Sequence, residues 1–387
     1  MNNFDKIIKR KGTGSIKWDY MSPSKFDGEP IPMWIADMEF EASPAIKEKM
    51  KKRIDVGVFG YEARPKAYNE AIVNWFSRRH NFYIKSEWIC FSYDVIAAIG
   101  TALDSISEEG DSIIVQSPVY HSFYRLLESK NRKIVKNPLI NNNGYYTMDY
   151  DHLEKCITKN TKAILLCNPH NPVGRVWTRE ELKKLSDICI KNNIWIISDD
   201  IHCEMVFKGH EHTFISTISE ETAQKTIICT SPTKAFNLAG IKLANSIIQN
   251  EEIRNKFIKI TGMPICNSFV APALIGAYNG SEEWLNESVE YIESNINYFI
   301  DYINNNVPKL KVYKPEGTYL VWVNCSELNM NVEELKDFFI NNCGVVPNEG
   351  IVFGDEGAMY QRLNLACSRQ LVEEAAKRIE KAVNKLI

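Results

Sequence analysis

The sequence has no apolar run approaching the roughly 20 residues that cross a bilayer, so we expect no membrane-spanning segment. Its start, MNNFDKIIKRKGTGSIKWDY, carries charges with no apolar stretch behind them, and we therefore expect no secretory signal. An excess of basic residues is also missing, because 46 Lys and Arg residues are matched by 49 Asp and Glu residues. The net charge of -3 does not suit a phosphate backbone, so neither a membrane nor a nucleic acid is an expected partner.

The ten cysteines are scattered and form no CxxC pair. Several end apolar runs, as in AILLC at Cys167 and IIC at Cys229, so we expect reduced core residues in a cytoplasmic protein. No metal site is expected, because zinc-ligand spacing is missing. His-Glu-His at 210–212 spaces its histidines by two residues rather than on one helical face, which predicts a solvated loop. GTGS at 12–15 lacks the spacing of a phosphate-binding P-loop.

What is present is a globular composition, with 44% hydrophobic and 25% charged residues over 387 positions. This length allows a large core and favours two domains. From about residue 43, helical and strand patterns alternate, which indicates an α/β fold with a mostly parallel sheet covered by helices on both sides. Seven short apolar runs are predicted to be strands buried on both faces: WICFS, DSIIVQSP, KIVKNPLI, KAILLCNP, NIWIISDD, TIICTSP and KLANSIIQ.

Local signals mark several helices. Ser-Pro at 43–44 is typical of a helix N-terminus, and the apolar positions of 66–76 recur on one helical face. Thr178 and Glu181 have capping-box spacing. Past residue 281, a long amphipathic stretch leads to the patterns YLVWVN, VEELKDFFINN and MYQRLNLAC and to a C-terminal helix, which predicts a smaller α+β unit joined by a long helix.

Chemistry-bearing residues follow four of the apolar runs, where ligands gather in open α/β sheets. They are Ser117 to Tyr120, Asn168 to Gly174, Asp199 with Asp200 and His202, and Ser231 to Lys234. Taken singly, each has an ordinary structural interpretation: the Asn and Pro residues would form turns, Asp199 would cap a helix, and Lys234 would be a surface lysine with its aliphatic stem packed on the protein. Taken together, a lysine and an aspartate at neighbouring strand ends are the pair that pyridoxal phosphate needs, an amine for covalent attachment and a carboxylate for the pyridine nitrogen.

At this point the chain resembles the fold-type I pyridoxal-phosphate enzymes of the class I/II aminotransferase superfamily, and within it the cystathionine β-lyase-like carbon–sulfur lyases. The resemblance implies a mostly parallel seven-stranded sheet between helices, with a large cofactor-binding domain over 47–285 and a small α+β domain formed by 1–46 and 286–387. The motifs that carry it run in the family's order over nearly the whole chain: WIADMEF (34–40), FGYEARP (59–65), SPVYHSF (117–123), NPHNPVGRVWTREEL (168–182), SDDIHCEMVF (198–207), SPTKAFNLAG (231–240) and RLNLACSR (362–369).

The resemblance also implies roles for single residues around pyridoxal phosphate. Lys234 would bind the cofactor covalently, and Asp199 would keep the pyridine nitrogen protonated. Asn171 would hydrogen-bond the phenolic oxygen, and Tyr120 would stack on the ring. His202 stands where many aminotransferases carry a tyrosine, and a histidine packed at the strand end is the alternative interpretation.

For the cofactor's phosphate, the resemblance implies contacts with Ser231, Lys242 and the backbone amides of Val95 and Ile96 at a helix N-terminus. Asp94 departs from the family, whose members generally carry glycine there. Because a carboxylate beside a dianion is unfavourable, we expect Asp94 to point away, or the loop to align one residue differently.

For the substrate, the resemblance implies that Arg362 binds the α-carboxylate through its planar fork, with the backbone near Ile35 and Ala36 completing the site. Arg369 is close enough in sequence to be the competing choice. Tyr61 would reach the cofactor phosphate of the neighbouring subunit, so a homodimer with shared active sites is expected. The alternative for Tyr61 is an aromatic residue packed at a helix turn within one subunit.

The implied reaction is an elimination from an S-substituted cysteine such as cystathionine. Lys234 removes the Cα proton as general base, the thiol leaves, and the remainder gives pyruvate and ammonia. A second hypothesis is an aminotransferase that uses the same residues but returns the proton to the cofactor. A third is a regulatory or binding protein on the same fold, against which the intact Lys234, Asp199 and Arg362 argue.

Overall fold

The structure of the protein is a computed structural model, and it describes residues 2–262 and 265–386. Its strands, in chain order, are β1 (Ile31–Pro32), β2 (Ile89–Ser92), β3 (Ser112–Val115), β4 (Lys133–Lys136), β5 (Ile140–Asn142), β6 (Tyr145–Thr147), β7 (Thr161–Cys167), β8 (Trp195–Asp199), β9 (Thr226–Thr230), β10 (Ala244–Ile248), β11 (Lys311–Val312), β12 (Leu320–Asn324), β13 (Val345–Val346), β14 (Asn348–Glu349) and β15 (Tyr360–Asn364).

The helices surround these strands. In chain order they are α1 (Ile16–Asp19), α2 (Pro44–Asp55), α3 (Lys66–His80), α4 (Val95–Ile106), α5 (Ser122–Ser129), α6 (Tyr150–Cys156), α7 (Arg179–Lys191), α8 (Glu220–Gln224), α9 (Glu251–Thr261), α10 (Val270–Gly280), α11 (Glu282–Asn306), α12 (Val332–Asp337) and α13 (Arg369–Val383). Across residues 2–262 and 265–386, none of them combines the length and the apolar character needed to span a bilayer.

The main sheet has seven strands in the order β2-β10-β9-β8-β7-β3-β4, and each corresponds to one of the seven predicted apolar runs. The strand β10 is antiparallel to both of its neighbours, whereas the other neighbouring strands pair in parallel. Alternate residues of the strands enter separate core clusters: one is shared with α4 and α9, another with α7, and a third takes Ile89, Phe91, Ile228 and Ile247. The mostly parallel seven-stranded sheet between helices is therefore confirmed.

The edge strand β4 departs from the prediction that all seven runs are buried on both faces. Lys133 and Lys136 are exposed, and the two residues between them are only partly buried. This strand lies at the end of the sheet and pairs on one side, with β3. Charged side chains on an edge strand oppose pairing with another chain, which is the physical reason for the lysines.

The predicted helix signals are found in the structure. Ser43 Oγ accepts a hydrogen bond from the Ile46 amide (3.3 Å) and caps α2, whose first residue is a proline. The predicted apolar face within 66–76 is fully buried in α3. Thr178 and Glu181 form both bonds of the capping box that begins α7. These local contacts fix where helices start, and hence where the preceding strand ends point.

A second sheet follows the 25-residue helix α11, with the order β11-β12-β15-β14. The predicted strands YLVWVN and MYQRLNLAC correspond to β12 and β15. The predicted helix VEELKDFFINN is α-helical only over α12, and a π-helical turn continues it over Phe338–Asn342. Near the start of the chain, β1 pairs with β13, so that Ile31 lies opposite Val345. The short strands β1, β5, β6, β11, β13 and β14 are not predicted by the sequence patterns.

The segment before β1 is anchored by a cluster of buried charges. Lys17 is only 2% exposed, and its Nζ lies 2.7 Å from Glu39 and 3.3 Å from Asp37. Arg10 pairs with the same two carboxylates, at 2.8 Å from Asp37 and 2.9 Å from Glu39. Two cations therefore balance two carboxylates, and the charges on Asp37 and Glu39 are neutralised only while both cations are present.

We predict that Lys17→Met lowers the free energy of unfolding by about 3 kcal/mol, because it leaves Asp37 and Glu39 to share a single cation in a buried setting. Urea denaturation measures the loss. The matched control is Lys11→Met, since the Lys11–Glu29 pair (2.9 Å) is exposed at both ends and its removal should cost less than about 1 kcal/mol. Equal losses in the two variants would show that the buried cluster does not stabilise the fold.

Candidate active site

A cavity of about 550 Å³ opens where β7, β8 and β9 end. Eleven of the residues predicted for the site line it: Ile35, Ala36, Val95, Ile96, Tyr120, Asn171, Asp199, His202, Lys234, Lys242 and Arg362. Parallel strands point their carboxyl ends to one edge of the sheet, which is why residues distant in sequence meet there.

Lys234 lies in the turn after β9, with its amine directed at the chain segment before α2. Its Nζ donates a hydrogen bond to the backbone oxygen of Ala36 (2.6 Å), and the Tyr319 hydroxyl donates to the same oxygen (3.1 Å). Burial and the nearby Arg362 lower the pKa of Lys234 to about 8. The lowered pKa makes a neutral, nucleophilic amine accessible near physiological pH.

Asp199 is the last residue of β8 and is buried. Burial raises the pKa of its carboxyl to about 7, an effect that the hydrogen bond from the Ile201 amide (3.1 Å) opposes and the neighbouring Asp200 increases. Within the described ranges, no cation lies within ion-pair distance of Asp199. The carboxylate is therefore a buried acceptor that a protonated ligand nitrogen would stabilise.

Arg362 enters the cavity from β15, in the second sheet, and is 2% exposed. Its Nη1 donates to Asn171 Oδ1 (3.0 Å) and its Nη2 donates to the backbone oxygen of Trp34 (2.8 Å). Its Nε is buried without a partner, and burial lowers the pKa of the guanidinium to about 10. Such a fork, with no carboxylate against it in the described part of the chain, suits a carboxylate of a ligand.

His202 is buried beside these groups, and its Nδ1 has no hydrogen-bond partner. Burial, followed by the charges of Lys234 and Arg362, lowers the pKa of His202 to about 3, so the ring is neutral. Its ring packs edge-on against Tyr319, with centroids 5.5 Å apart. The histidine therefore lines the cavity and packs at the strand end at once, which reconciles the two interpretations of its position.

At the opposite end of the cavity, Asp94 caps α4, with Oδ1 accepting from the Ala97 amide (2.8 Å). Its Oδ2 lies 3.3 Å from Lys242 Nζ. Asp94 is among the residues that line the cavity, so the expectation that it points away from the phosphate, or that the loop aligns one residue differently, stays a prediction. The capping bond and the lysine hold it there, directly before Val95 and Ile96, whose amides open the helix.

Two predicted residues are not part of the cavity wall. The Ser231 hydroxyl donates to the backbone oxygen of Leu243, directly before β10 (2.6 Å), and bonds Thr233 in its own turn (2.8 Å), and Thr233 lines the cavity instead. Tyr61 is 93% exposed on the surface of the chain. The competing arginine, Arg369, begins α13 and donates to Ser294 Oγ (2.7 Å) outside the cavity.

Sequence reasoning missed several further lining residues, among them Trp34, His121, Arg125, Asn348 and Val352. Trp34 and His121 had a usable signal, because each is adjacent in sequence to a predicted site residue, Ile35 or Tyr120. In total, the basic side chains on the wall are Lys234, Lys242, Arg125 and Arg362, against the carboxylates of Asp94 and Asp199. A ligand with several anionic groups is the electrostatic complement of this cavity.

The predicted solvated loop at 210–212 needs a correction. His210 is half-exposed, but His212 is buried, with its Nε2 3.0 Å from Asp200 Oδ1. Phe214 packs edge-on against the His212 ring, with centroids 4.5 Å apart. Sequence spacing alone did not reveal that this segment folds back onto the strand that carries Asp199.

One group of metal-type ligands in the described ranges, His80, Cys203 and Glu204, lies outside the cavity wall. The Glu204 oxygens are already occupied, by Trp75 (2.6 Å) and His80 (2.9 Å) on one and by Arg79 (2.9 Å) on the other. Although burial favours the neutral form, His80 and Arg79 bring the pKa of Glu204 to about 2. The group is a buried ion-pair cluster whose arginine opposes a bound cation.

Known proteins are similar to this chain in fold and in sequence along its whole length. The chain is 36% identical over 386 residues to cystathionine beta-lyase PatB of Bacillus subtilis, covering 99% of this chain and 100% of that protein. The crystal structure of cystalysin from Treponema denticola, which contains a pyridoxal 5'-phosphate cofactor, matches with a TM-score of 0.96 and 36% identity over 100% of both chains. The pyridoxal-phosphate-bound C-S lyase of Staphylococcus hominis matches with a TM-score of 0.92 and 32% identity over 98% of both chains.

The family profile for aminotransferase class I and II matches residues 31–379. This range includes both sheets and every residue that lines the cavity. The chain therefore belongs to the class I and II aminotransferase family.

Proposed function

We propose that this chain is a pyridoxal-phosphate-dependent carbon–sulfur β-lyase of the cystathionine β-lyase type, which eliminates a thiol from an S-substituted cysteine. The observation that carries the proposal is the meeting of three groups in one cavity: the amine of Lys234, the buried carboxylate of Asp199 and the guanidinium of Arg362. The full-length similarity to a cystathionine beta-lyase and to the structure of a C-S lyase supports elimination as the reaction class.

The residues present fit pyridoxal phosphate at three points. Asp199 has a raised pKa and lacks a cation, so a protonated pyridine nitrogen would supply its missing partner. The lowered pKa of Lys234 favours the neutral amine that attacks the cofactor's aldehyde. Lys242 and the amides of Val95 and Ile96 at the start of α4 suit the phosphate.

The substrate would be oriented by groups from both sheets. Arg362 binds the α-carboxylate through its unpartnered Nε and its outer nitrogens, while Asn171 holds the guanidinium in place (3.0 Å). When bound, pyridoxal phosphate supplies an electron-withdrawing ring that stabilises negative charge at the substrate Cα. Asp199 keeps the proton on the ring nitrogen, which maintains that withdrawal.

The proton transfer would be performed by Lys234, whose amine takes the Cα proton as general base. The electron pair left at Cα then forms a double bond to Cβ, and the Cβ–S bond breaks with its electrons on sulfur. Protonation of the thiolate releases the thiol, and hydrolysis of the three-carbon remainder gives pyruvate and ammonia. Because one amine serves as both anchor and base, its position against Ala36 (2.6 Å) matters for both roles.

The subunit arrangement that we propose is a homodimer in which Tyr61 of one subunit contacts the cofactor phosphate bound to its partner. Tyr61 is 93% exposed and lies outside its own cavity wall, which supports a contact with another chain. Val56, Val58 and Phe59 nearby are also exposed, and such an apolar patch is typical of an interface. A two-fold interface would make the two sites equivalent.

We also propose that the chain divides into a large domain over 47–285 and a small domain of 1–46 and 286–387. The pairing of β1 with β13 supports the assignment of the first segment to the small domain. The ten cysteines are free, and all except Cys156 are buried, which supports a cytoplasmic location.

We predict that the holoenzyme releases pyruvate and ammonia in equal amounts from cystathionine and from cystine. An oxo acid that keeps the side chain would instead indicate the aminotransferase hypothesis.

Lys234→Ala should lose nearly all turnover, and borohydride reduction should leave no covalent cofactor on it, because both the anchor and the base are removed. Lys242→Ala is the matched control, which should still be labelled by reduction but release cofactor more readily on dialysis. Turnover near the wild-type rate in Lys234→Ala would overturn the assignment.

We predict that Arg362→Ala lowers kcat/KM for amino-acid substrates at least 100-fold while the cofactor stays bound, because Arg362 binds the substrate carboxylate. Arg369→Ala should change kcat/KM less than threefold, since its side chain bonds Ser294 outside the cavity. Steady-state kinetics and cofactor titration of both variants check this. The reverse order would identify Arg369 as the carboxylate-binding residue.

We predict that Tyr61→Ala and Lys234→Ala subunits, both nearly inactive alone, regain activity when they are mixed. Random exchange makes half of the dimers mixed, and each mixed dimer has one site with intact Lys234 and with intact Tyr61 from the partner, so recovery should approach about a quarter of the wild-type activity. Heterodimers are verified with two affinity tags. If they form without recovery, Tyr61 acts within its own subunit.

A further inference from the structure

The cavity contains a group of residues that the proposed chemistry does not use. His121 and Arg125 enter from the start of α5, and Asn348 and Val352 enter from β14 and the turn after it. They line the part of the wall next to Arg362, whose strand β15 pairs with β14. This set of four residues, the distal subsite, is separate from the groups proposed for the cofactor and the α-carboxylate.

Arg125 is a cation without an anion. In the described part of the chain, no carboxylate lies within 4.0 Å of its guanidinium, although it is exposed and free to find one. Several cations that follow it in the sequence are paired: Lys130 and Arg132 contact Asp104, and Lys136 lies 2.7 Å from Asp355. An arginine left unpaired at the mouth of a cavity is a candidate for binding an anionic ligand group.

His121 lines the wall close enough to both of its arginines to feel their charges. Its Nδ1 is buried without a partner, and its ring is packed edge-on against Tyr120 (5.0 Å) and Phe353 (5.6 Å). Burial, Arg362 and Arg125 lower the pKa of His121 to about 4, so at neutral pH it is an uncharged hydrogen-bonding group. The ring is therefore fixed in place, with an unused nitrogen beside two guanidinium groups.

The basic groups on the cavity wall can each be matched to a group of the proposed cofactor or substrate, except for one in the distal subsite. Under the proposed function, the cofactor phosphate is matched by Lys242 and the start of α4, and the substrate α-carboxylate is matched by Arg362. The pyridine nitrogen is matched by Asp199, and Lys234 is the reacting amine. Arg125 is the one basic group on the wall that these assignments leave without an anionic partner.

We propose that Arg125, with His121, binds a carboxylate at the far end of the sulfur substituent, so that the preferred substrates are cysteine S-conjugates whose leaving thiol is anionic. This inference rests on the proposed lyase function and names its substrate class. The aliphatic side chain of Val352 supplies an apolar contact for the methylene groups between sulfur and carboxylate. Asn348 adds an amide that can donate to the carboxylate.

The test compares S-(2-carboxyethyl)-L-cysteine with its amide, S-(2-carbamoylethyl)-L-cysteine, which has the same size without the charge. The wild-type enzyme should prefer the acid, and Arg125→Met should lower the acid-to-amide ratio of kcat/KM about tenfold, as expected for a charged hydrogen bond at a partly exposed site. Lys133→Met removes the same charge from β4, outside the cavity wall, and should leave the ratio unchanged. An unchanged ratio in Arg125→Met, or a wild-type preference for the amide, would overturn the inference.

A binding measurement separates this inference from the lyase proposal. In L-2-aminopimelate a methylene group replaces the sulfur, so no thiol can leave, and calorimetry on the holoenzyme measures its affinity directly. Arg125→Met should weaken this affinity by a similar factor, and Lys133→Met should not. If wild-type enzyme forms no pyruvate but Arg125→Met still loses affinity, the lyase function fails and the distal subsite stands. If pyruvate forms and the affinity does not change, the distal subsite fails alone.

Discussion

The backbone of residues 34–38 is the constraint on which the site depends, because groups from distant parts of the chain bind its carbonyl oxygens. The Ala36 oxygen accepts hydrogen bonds from Lys234 (2.6 Å) and Tyr319 (3.1 Å). Arg362 donates to the Trp34 oxygen (2.8 Å), and Asn364 donates to the oxygens on either side of Ala36. The buried charges around Lys17 hold the far end of this segment. The amine of Lys234 and the guanidinium of Arg362 are thus positioned by one stretch of backbone.

Burial sets the ionisation of the groups so positioned. Desolvation is the largest influence on the pKa values of Lys234, Asp199 and Arg362, and it shifts each toward its neutral form. Folding therefore costs free energy at these positions, because it buries charged groups that have no oppositely charged partner within the chain. A ligand with a protonated ring nitrogen, a phosphate and a carboxylate would supply those partners, so its binding should stabilise the chain as well as equip it for catalysis.

The sequence could predict what depends on local pattern and on strand order. Seven apolar runs gave seven strands of one sheet, and polar residues at their carboxyl ends, such as Asn171, Asp199 and Lys234, line the cavity as expected. It could not predict contacts that depend on how loops and helix ends fold onto the site, such as the closeness of Arg125 to the cavity or the burial of His212 against Asp200. Nor could it show that the Ser231 hydroxyl bonds the backbone oxygen of Leu243, because that depends on how the chain before β10 lies against the turn.

The Asp94–Lys242 pair shows how the carboxylate of Asp94 is compatible with the proposed phosphate site at the start of α4. As an N-cap, Asp94 stabilises α4 by about 1 kcal/mol, but its carboxylate would repel a phosphate at the same helix end. Lys242 Nζ lies 3.3 Å from this carboxylate on an exposed side chain, and so can contact Asp94 and a phosphate together. The cation then offsets the repulsion, while the helix keeps its cap and the amides of its first turn stay aligned. A glycine at position 94 would remove the repulsion and the side-chain cap together, so with Asp94 in place the proposed phosphate site would depend on Lys242 to offset the carboxylate.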